Sequence, residues 1–204
     1  ATRSALTLGV FALLGAGLVA LTHEFTHERI ADNQQRTLQR RLHEILPADA
    51  YDNALDEDTL QVTTSMLGGF DQNAKVYRAR KDGRPVAVIM EVTAPDGYSG
   101  AIKLLVGVTF EGKLAGVRVV SHRETPGLGD DLELARSDWI LGFDGRALGK
   151  PPLEDWAVRR DGGVFDQFTG ATITPRAVVY AVRNALLYFR DQREQLFAEP
   201  VTQP

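Results

Sequence analysis

The feature that most limits how this chain can fold is a run without charge, Ser4 to Thr22, made mostly of Ala, Leu, Val, Gly and Phe. As a helix rising 1.5 Å per residue it spans roughly 28 Å, about one hydrocarbon core. A cleaved signal peptide is the competing reading, because Arg3 supplies a short positive n-region. The run is longer than a usual h-region, and no small-x-small cleavage site precedes His23, so residues 1–23 read as a retained transmembrane anchor. Ala12, Ala16 and Ala20 fall four apart, as do Ala5 and Gly9, and such small faces let a neighbouring membrane helix approach closely. Ala and Gly are also simply common in membrane spans. Arg3 precedes the run and the net-negative His23-Glu24-Phe25-Thr26-His27-Glu28 follows it. The positive-inside tendency then puts the N-terminus in the cytoplasm and all that follows residue 23 outside, which for a bacterial inner membrane is the periplasm.

Residues 24–47 are polar with apolar positions at Ile30, Leu38, Leu42 and Ile45, the pattern of a helical stalk ending before Pro47. His23-Glu24-Phe25-Thr26-His27 matches H-E-x-x-H, a zinc-protease pattern. At the edge of a single span, with no third ligand nearby, it reads as two histidines on a polar stalk, and no metal site is expected. The absence of cysteine excludes disulfides, thiolate nucleophiles, cysteine-linked haem and cysteine-held iron–sulfur clusters. Any electron carrier here must therefore be an organic cofactor or a metal held by N and O ligands. Net charge is −4 and Lys and Arg are spread along the chain, so the basic stripe of a nucleic-acid binder is missing.

Residues 48–198 read as one domain, followed by a tail over 199–204. Lys75 to Arg80, Pro85 to Thr93, Ala101 to Phe110 and Leu114 to Ser121 are apolar-rich runs parted by Asp82-Gly83, Pro95-Asp96-Gly97 and Glu111-Gly112 turns. Trp156-Ala157-Val158 looks like a further strand. Thr174-Pro175 reads as an N-cap before a first-turn proline, with Val178, Val182, Ala185 and Phe189 on one helical face. The fold class expected is α+β: a twisted, mostly antiparallel sheet with packed helices.

The chemistry is concentrated in Asp166-Gln167-Phe168-Thr169-Gly170-Ala171-Thr172, a hydroxyl-bearing loop just ahead of that helix. Unpaired N–H groups and the helix dipole favour a phosphate there, and Gly170 lets a ligand come close to the backbone. On these grounds alone, a Thr-Gly turn leading into a helix with no ligand is the better reading. Two other stretches carry the same kind of ambiguity. Ala94-Pro95-Asp96-Gly97-Tyr98-Ser99-Gly100 makes a good hairpin loop, and in His122-Arg123-Glu124-Thr125-Pro126-Gly127-Leu128-Gly129-Asp130 the G-x-G lacks the third glycine of a dinucleotide fingerprint.

Taken together with the single N-terminal span, these three stretches resemble the RnfG (RsxG) family, the G subunits of Rnf ion-translocating electron transport complexes, over essentially the whole chain. The first of them resembles the flavinylation motif D-x-x-[S/T]-G-A-T. The resemblance implies FMN joined through its phosphate to Thr172 by a dedicated flavin transferase that uses FAD as donor. Asp166, Thr169, Gly170 and Ala171 would form the recognition sequence and then the loop around the phosphate. It also implies flavin contacts from Tyr98, Ser99 and Gly100 and from Glu124, Thr125, Gly127 and Leu128, with Leu128 shielding a ring face and Glu124 or Thr125 at its polar edge. His122 reads as a strand-end residue or a ligand, and Arg159 and Arg160 as a solvated strand end. The implied task is electron relay between partner membrane subunits, coupled to Na+ or H+ movement between ferredoxin and NAD, with no catalytic residue and no substrate turnover of its own. The C subunit of the Na+-pumping quinone reductase shares the acceptor motif but is usually longer. A non-redox ligand-binding ectodomain is the alternative from another class, and a hydrolase lacks a base–nucleophile pair.

Overall fold

The computed structural model describes residues 2–68 and 73–198, with the side chains of 4, 5, 7, 24, 27–32 and 34 also outside the description. The tail read at 199–204 lies outside the described residues. The chain divides into two compact units, Ala1–Arg40 and Arg41–Pro204.

A single helix, α1 (Thr2–Ile45), contains both the uncharged run and the stalk. Its last i→i−4 bond runs from Leu46 N to Leu42 O, and Pro47 stops it, since a residue before proline is pushed out of the α region. In the first unit Leu6, Leu8, Phe11, Leu13, Leu14, Leu18 and Val19 are exposed. Among the described residues no helix is long and apolar enough to cross a membrane. Ser4, Ala5 and Thr7, which belong to the uncharged run, are not among the described side chains.

The second unit is built on an antiparallel meander in chain order: β1 (Thr59–Thr63), β2 (Asn73–Lys81), β3 (Arg84–Ala94), β4 (Ile102–Thr109) and β5 (Leu114–Ser121). The four runs expected as strands are β2 to β5. The edge strand β1 escapes a sequence reading because it is short and half polar, as edge strands often are. One face of the sheet is covered by α2 (Ile173–Phe197), whose Val178, Val182, Ala185 and Phe189 are buried with Val88, Met90, Leu104 and Val106. The segment between β5 and α2 completes that core with Leu132, Ile140, Phe143, Trp156 and Phe165.

The opposite face carries Tyr77, Ala79, Ile89 and Leu105, all buried, and is closed by residues after Arg40. Gly107 and Gly116 pair across β4 and β5, and Ile45 rests in the depression they leave. Arg118 Nη2 donates to Glu44 O (3.0 Å), tying the end of α1 to β5. Burial on both faces explains why the central strands read as near-continuous apolar runs.

Two local readings need correction. Trp156-Ala157-Val158 is not a strand: Leu153–Asp155 and Arg159–Asp161 are single 3-10 turns, and Val158 forms only an isolated bridge with Phe165. The segment folds back on itself through Phe165 N to Ala157 O (3.2 Å), so Trp156 fills the core without joining the ladder. The start of α2 also differs: its N-cap is Thr172, while Thr174 is wholly buried inside the helix.

Candidate functional site

Two of the stretches singled out in the sequence, and the helix start that follows the third, meet at one buried carboxylate. Glu124, on the loop after β5, is 4% exposed. Its Oε1 accepts from Ser99 N (2.9 Å), in the turn between β3 and β4. Its Oε2 accepts from Thr174 Oγ1, in the first turn of α2. Gly129 closes the same knot, since a Cβ there would lie 2.9 Å from Glu124 Cβ and 3.1 Å from Thr174 Oγ1. Glu124 therefore points inward, with a partner set different from the flavin edge that the resemblance implies.

Its backbone is held as well. Glu124 N donates to His122 Nδ1 (3.0 Å), so Nδ1 carries the lone pair and Nε2 carries the hydrogen. Nε2 is 2.8 Å from Glu133 Oε1 and donates to it. His122 is thus a strut beneath the loop. Beyond Glu124 the loop turns tightly: Leu128 N and Gly129 N both donate to Thr125 O (3.1 and 3.0 Å), and Gly127 N donates to buried Asp130 (2.6 Å). Gly127 has φ 77, left-handed territory that favours glycine.

The loop of residues 166–172 lies against this turn. Gly170, at φ 82, lets the chain reverse between Phe168 and Ala171, with Ala171 N donating to Phe168 O (3.2 Å). A Cβ on Gly170 would stand 3.6 Å from Leu128 Cδ2, which places the two loops side by side. The far end of the loop is pinned by Trp139 Nε1, donating to Asp166 O (2.8 Å), and by the Arg159–Asp166 ion pair (2.5 Å). Arg159 thus engages the motif's own aspartate and is more than a solvated strand end. Arg160 contributes its backbone N–H to Gln167 Oε1 (3.2 Å).

Thr172 is half-buried at the helix start, with φ −85 and ψ −28. A capping residue normally takes extended dihedrals so that its side chain can reach the following N–H groups. Thr172 is already helical and its hydroxyl makes no cap bond, while its carbonyl accepts the first helical bond from Arg176 N (3.3 Å). The unpaired donors of a helix start, here Ile173 and Thr174 N–H since Pro175 has none, have no side-chain cap. α2 supplies no acidic residue of its own in the first turn, which the Glu124 carboxylate meets at the Thr174 hydroxyl. A phosphate diester on Thr172 fits these features. Arg176 in that turn is paired with Asp161, and the hydrogen-bonded guanidinium holds the Asp161 carboxyl below the usual carboxylate range.

The remaining predicted contacts are placed as follows. Leu128 and Ile173 are exposed apolar side chains beside the acceptor, and Tyr98, next to Ser99, is also exposed. Thr125, Gly127, Thr169 and Asp166 are exposed, while Gly100 and Ala171 are half-buried. Sequence reasoning missed Trp139, which sits in an irregular 3-10 stretch with no motif to mark it. It also missed Thr174 as Glu124's partner, because Thr-Pro spells a cap. Among the described residues no group of His, Cys, Asp or Glu could hold a metal ion.

Residues 97–187, which take in two of the loops and the Gly97–Gly100 end of the other, match the FMN-binding domain family, and this is the class of domain that the fold and site define. Residues 1–45 match the RnfG N-terminal region. Similar proteins, each named as the G subunit of an ion-translocating oxidoreductase complex, occur in Pseudomonas aeruginosa (56% identical over 96% of this chain and 92% of that protein) and Pseudoalteromonas atlantica (47%, over 96% and 91%). A further one occurs in Vibrio cholerae (46%, over 97% and 94%). The chain belongs to this family, the G subunits of ion-translocating oxidoreductase complexes. The resemblance read from the three loops holds.

Proposed function

We propose that this chain is the flavoprotein subunit of an Rnf-type ion-translocating ferredoxin:NAD oxidoreductase complex, carrying FMN as a phosphoester on Thr172. The observation that carries the reading is the unengaged Thr172 hydroxyl at an uncapped helix start, in a segment that matches the FMN-binding domain family. Bound there, FMN supplies the electron-transfer chemistry. The chain's own part is to hold the phosphate at Ile173 and Thr174 N–H, to offer Leu128, Ile173 and Tyr98 as apolar and aromatic surface for the ring, and to fix the ring's bearing through the glycine turns. Covalent attachment keeps the cofactor from being lost in an extracytoplasmic space. Partners are the other membrane subunits of the complex and, during maturation, a flavin transferase.

Residues 1–23 are proposed as the inner-membrane anchor, 24–47 as the stalk and 48–198 as the periplasmic FMN domain. The support is the charge-free run Ser4 to Thr22 and the exposure of its described Leu, Val and Phe side chains, which need lipid or another helix around them. A C-terminal alkaline phosphatase fusion should be active, and an inactive one would overturn the orientation.

Flavin fluorescence of the denatured gel band tests the attachment. The wild-type band from a host with the transferase should fluoresce, and Thr172→Ala should be dark. A dark wild-type band sinks covalent attachment, and a bright Thr172→Ala band moves the ester elsewhere.

A further inference from the structure

Two threonines stand two residues apart at the start of α2, and by its chemistry the sequence favours Thr174, ahead of Pro175, as the N-cap. The structure has the cap at Thr172 instead. The difference lies at Glu124, whose Oε2 takes the Thr174 hydroxyl while Oε1 takes Ser99 N–H. With its hydroxyl bonded into the core and its side chain wholly buried, Thr174 has none left for capping. The helix begins at Ile173, and Thr172 is left at its mouth with a hydroxyl that caps nothing.

We propose that Glu124 is a positioning residue for flavin attachment: by holding Thr174 inside the helix it presents Thr172 as the acceptor. This rests on the reading of Thr172 as the modified residue. In the transfer, Thr172 Oγ bonds the flavin-side phosphorus of FAD, the pyrophosphate linkage breaks, AMP leaves, and the hydroxyl proton is released. Glu124 touches none of these atoms. Without the Glu124–Thr174 bond nothing ties residue 174 into the first helical turn, so the helix start is free to move along the chain and Thr172 leaves the dipole's end. Both partners of Glu124 donate, so both oxygens must accept. A glutamine can accept from Ser99 N–H through its oxygen, but it faces Thr174 with an amide N–H, which reverses that bond and removes its charge assistance.

The test uses the full chain made without flavin and loaded in vitro from FAD by purified flavin transferase. Incorporation rate is read by fluorescence, the site by peptide mass spectrometry, and the fold by thermal midpoint. Glu124→Gln and Thr174→Val should load Thr172 about tenfold more slowly or worse, a barrier change of about 1.4 kcal/mol. Thr174→Ser, which keeps the hydroxyl, should stay within about twofold of wild type. Tyr77→Phe, on the opposite face of the sheet, serves as a stability control and should load at the wild-type rate. Loading of Glu124→Gln and Thr174→Val at the wild-type rate overturns the proposal, as does equal slowing in Tyr77→Phe. Should Glu124→Gln fail to fold, Thr174→Val loading as fast as Thr174→Ser overturns it alone. Wild type labelled at another residue refutes the acceptor reading instead, a result visible without any variant.

Discussion

Ile45, the last residue of α1, sits where a side chain on Gly107 would have to be: a Cβ built on Gly107 overlaps Ile45 Cγ2. The glycine is required by packing, because its dihedrals are ordinary for a strand. Gly107→Ala should therefore force Ile45 or β4 to shift and cost about 1–3 kcal/mol. A denaturant titration checks it, and Ile45→Ala in the Gly107→Ala background should recover part of the loss.

Gly129 and Gly127 lie two apart but are glycine for different reasons. Gly129 has ordinary φ (−102), and its Cβ would crowd Glu124 Cβ at 2.9 Å. Gly127 has open space but φ 77. Gly127→Ala should cost about 1–2 kcal/mol through backbone strain alone. Gly129→Ala should cost about as much through crowding and also disturb the Glu124 knot. Thermal melts of both give the costs, and amide exchange at Ser99 should rise in Gly129→Ala while staying near wild type in Gly127→Ala.

Tyr77 Oη donates to Glu91 Oε1 (2.8 Å), and burial followed by the Glu91 acceptor pushes the phenol well above its ordinary value. The folded chain holds this proton after the unfolded chain has lost it, so stability is full below about pH 10 and falls as pH rises above it, by about 1.4 kcal/mol per unit. Tyr77→Phe should make the alkaline decline shallower. Tyr51 and Tyr188 are raised in the same direction by burial, so some slope should remain. Unfolding free energies from about pH 9 to 11 measure it.

Arg78 is buried, bonds Asp58 through Nε (2.6 Å) and donates through Nη1 to Ala198 O (2.6 Å) beyond the end of α2. Arg78→Met leaves Asp58 with Arg80 (2.9 Å) and Asn53 Nδ2 (3.4 Å), so the cost should fall at the low end of the range for breaking a buried pair, about 3 kcal/mol. Adding Asp58→Asn should cost a further increment, since Arg80 then loses its carboxylate partner. A double-mutant cycle in urea separates the two contributions.

The architecture was largely legible because the central strands are apolar enough on both faces to declare themselves, and the Asp82-Gly83 and Glu111-Gly112 turns mark their joins. The sequence hid what depends on distant partners. Trp156 reads as strand by composition, yet its neighbours turn back within a few residues. Thr174-Pro175 reads as a cap by local rules, and a carboxylate fifty positions away overrides those rules. At the site, the three loops were recognisable as separate motifs, while the bonds of Glu124 to Ser99 and Thr174 and the contact of Leu128 with Gly170 are tertiary facts with no local signature. Tyr98 and Leu128 were named as flavin contacts by resemblance; both are exposed, and Leu128 lies against Gly170.

The sheet follows the chain, each strand pairing with its sequence neighbour, so its contacts close only short loops and form at little entropic cost. Every partner of the meander is present once Ser121 has emerged. The acceptor loop has no such independence, for its geometry waits on Thr174 arriving from α2 to meet Glu124, after nearly the whole chain has been made. Under the proposed attachment the segment to be loaded matures late, and a flavin on Thr172 would serve as a timestamp: a molecule that bears it has already brought α2 onto the sheet.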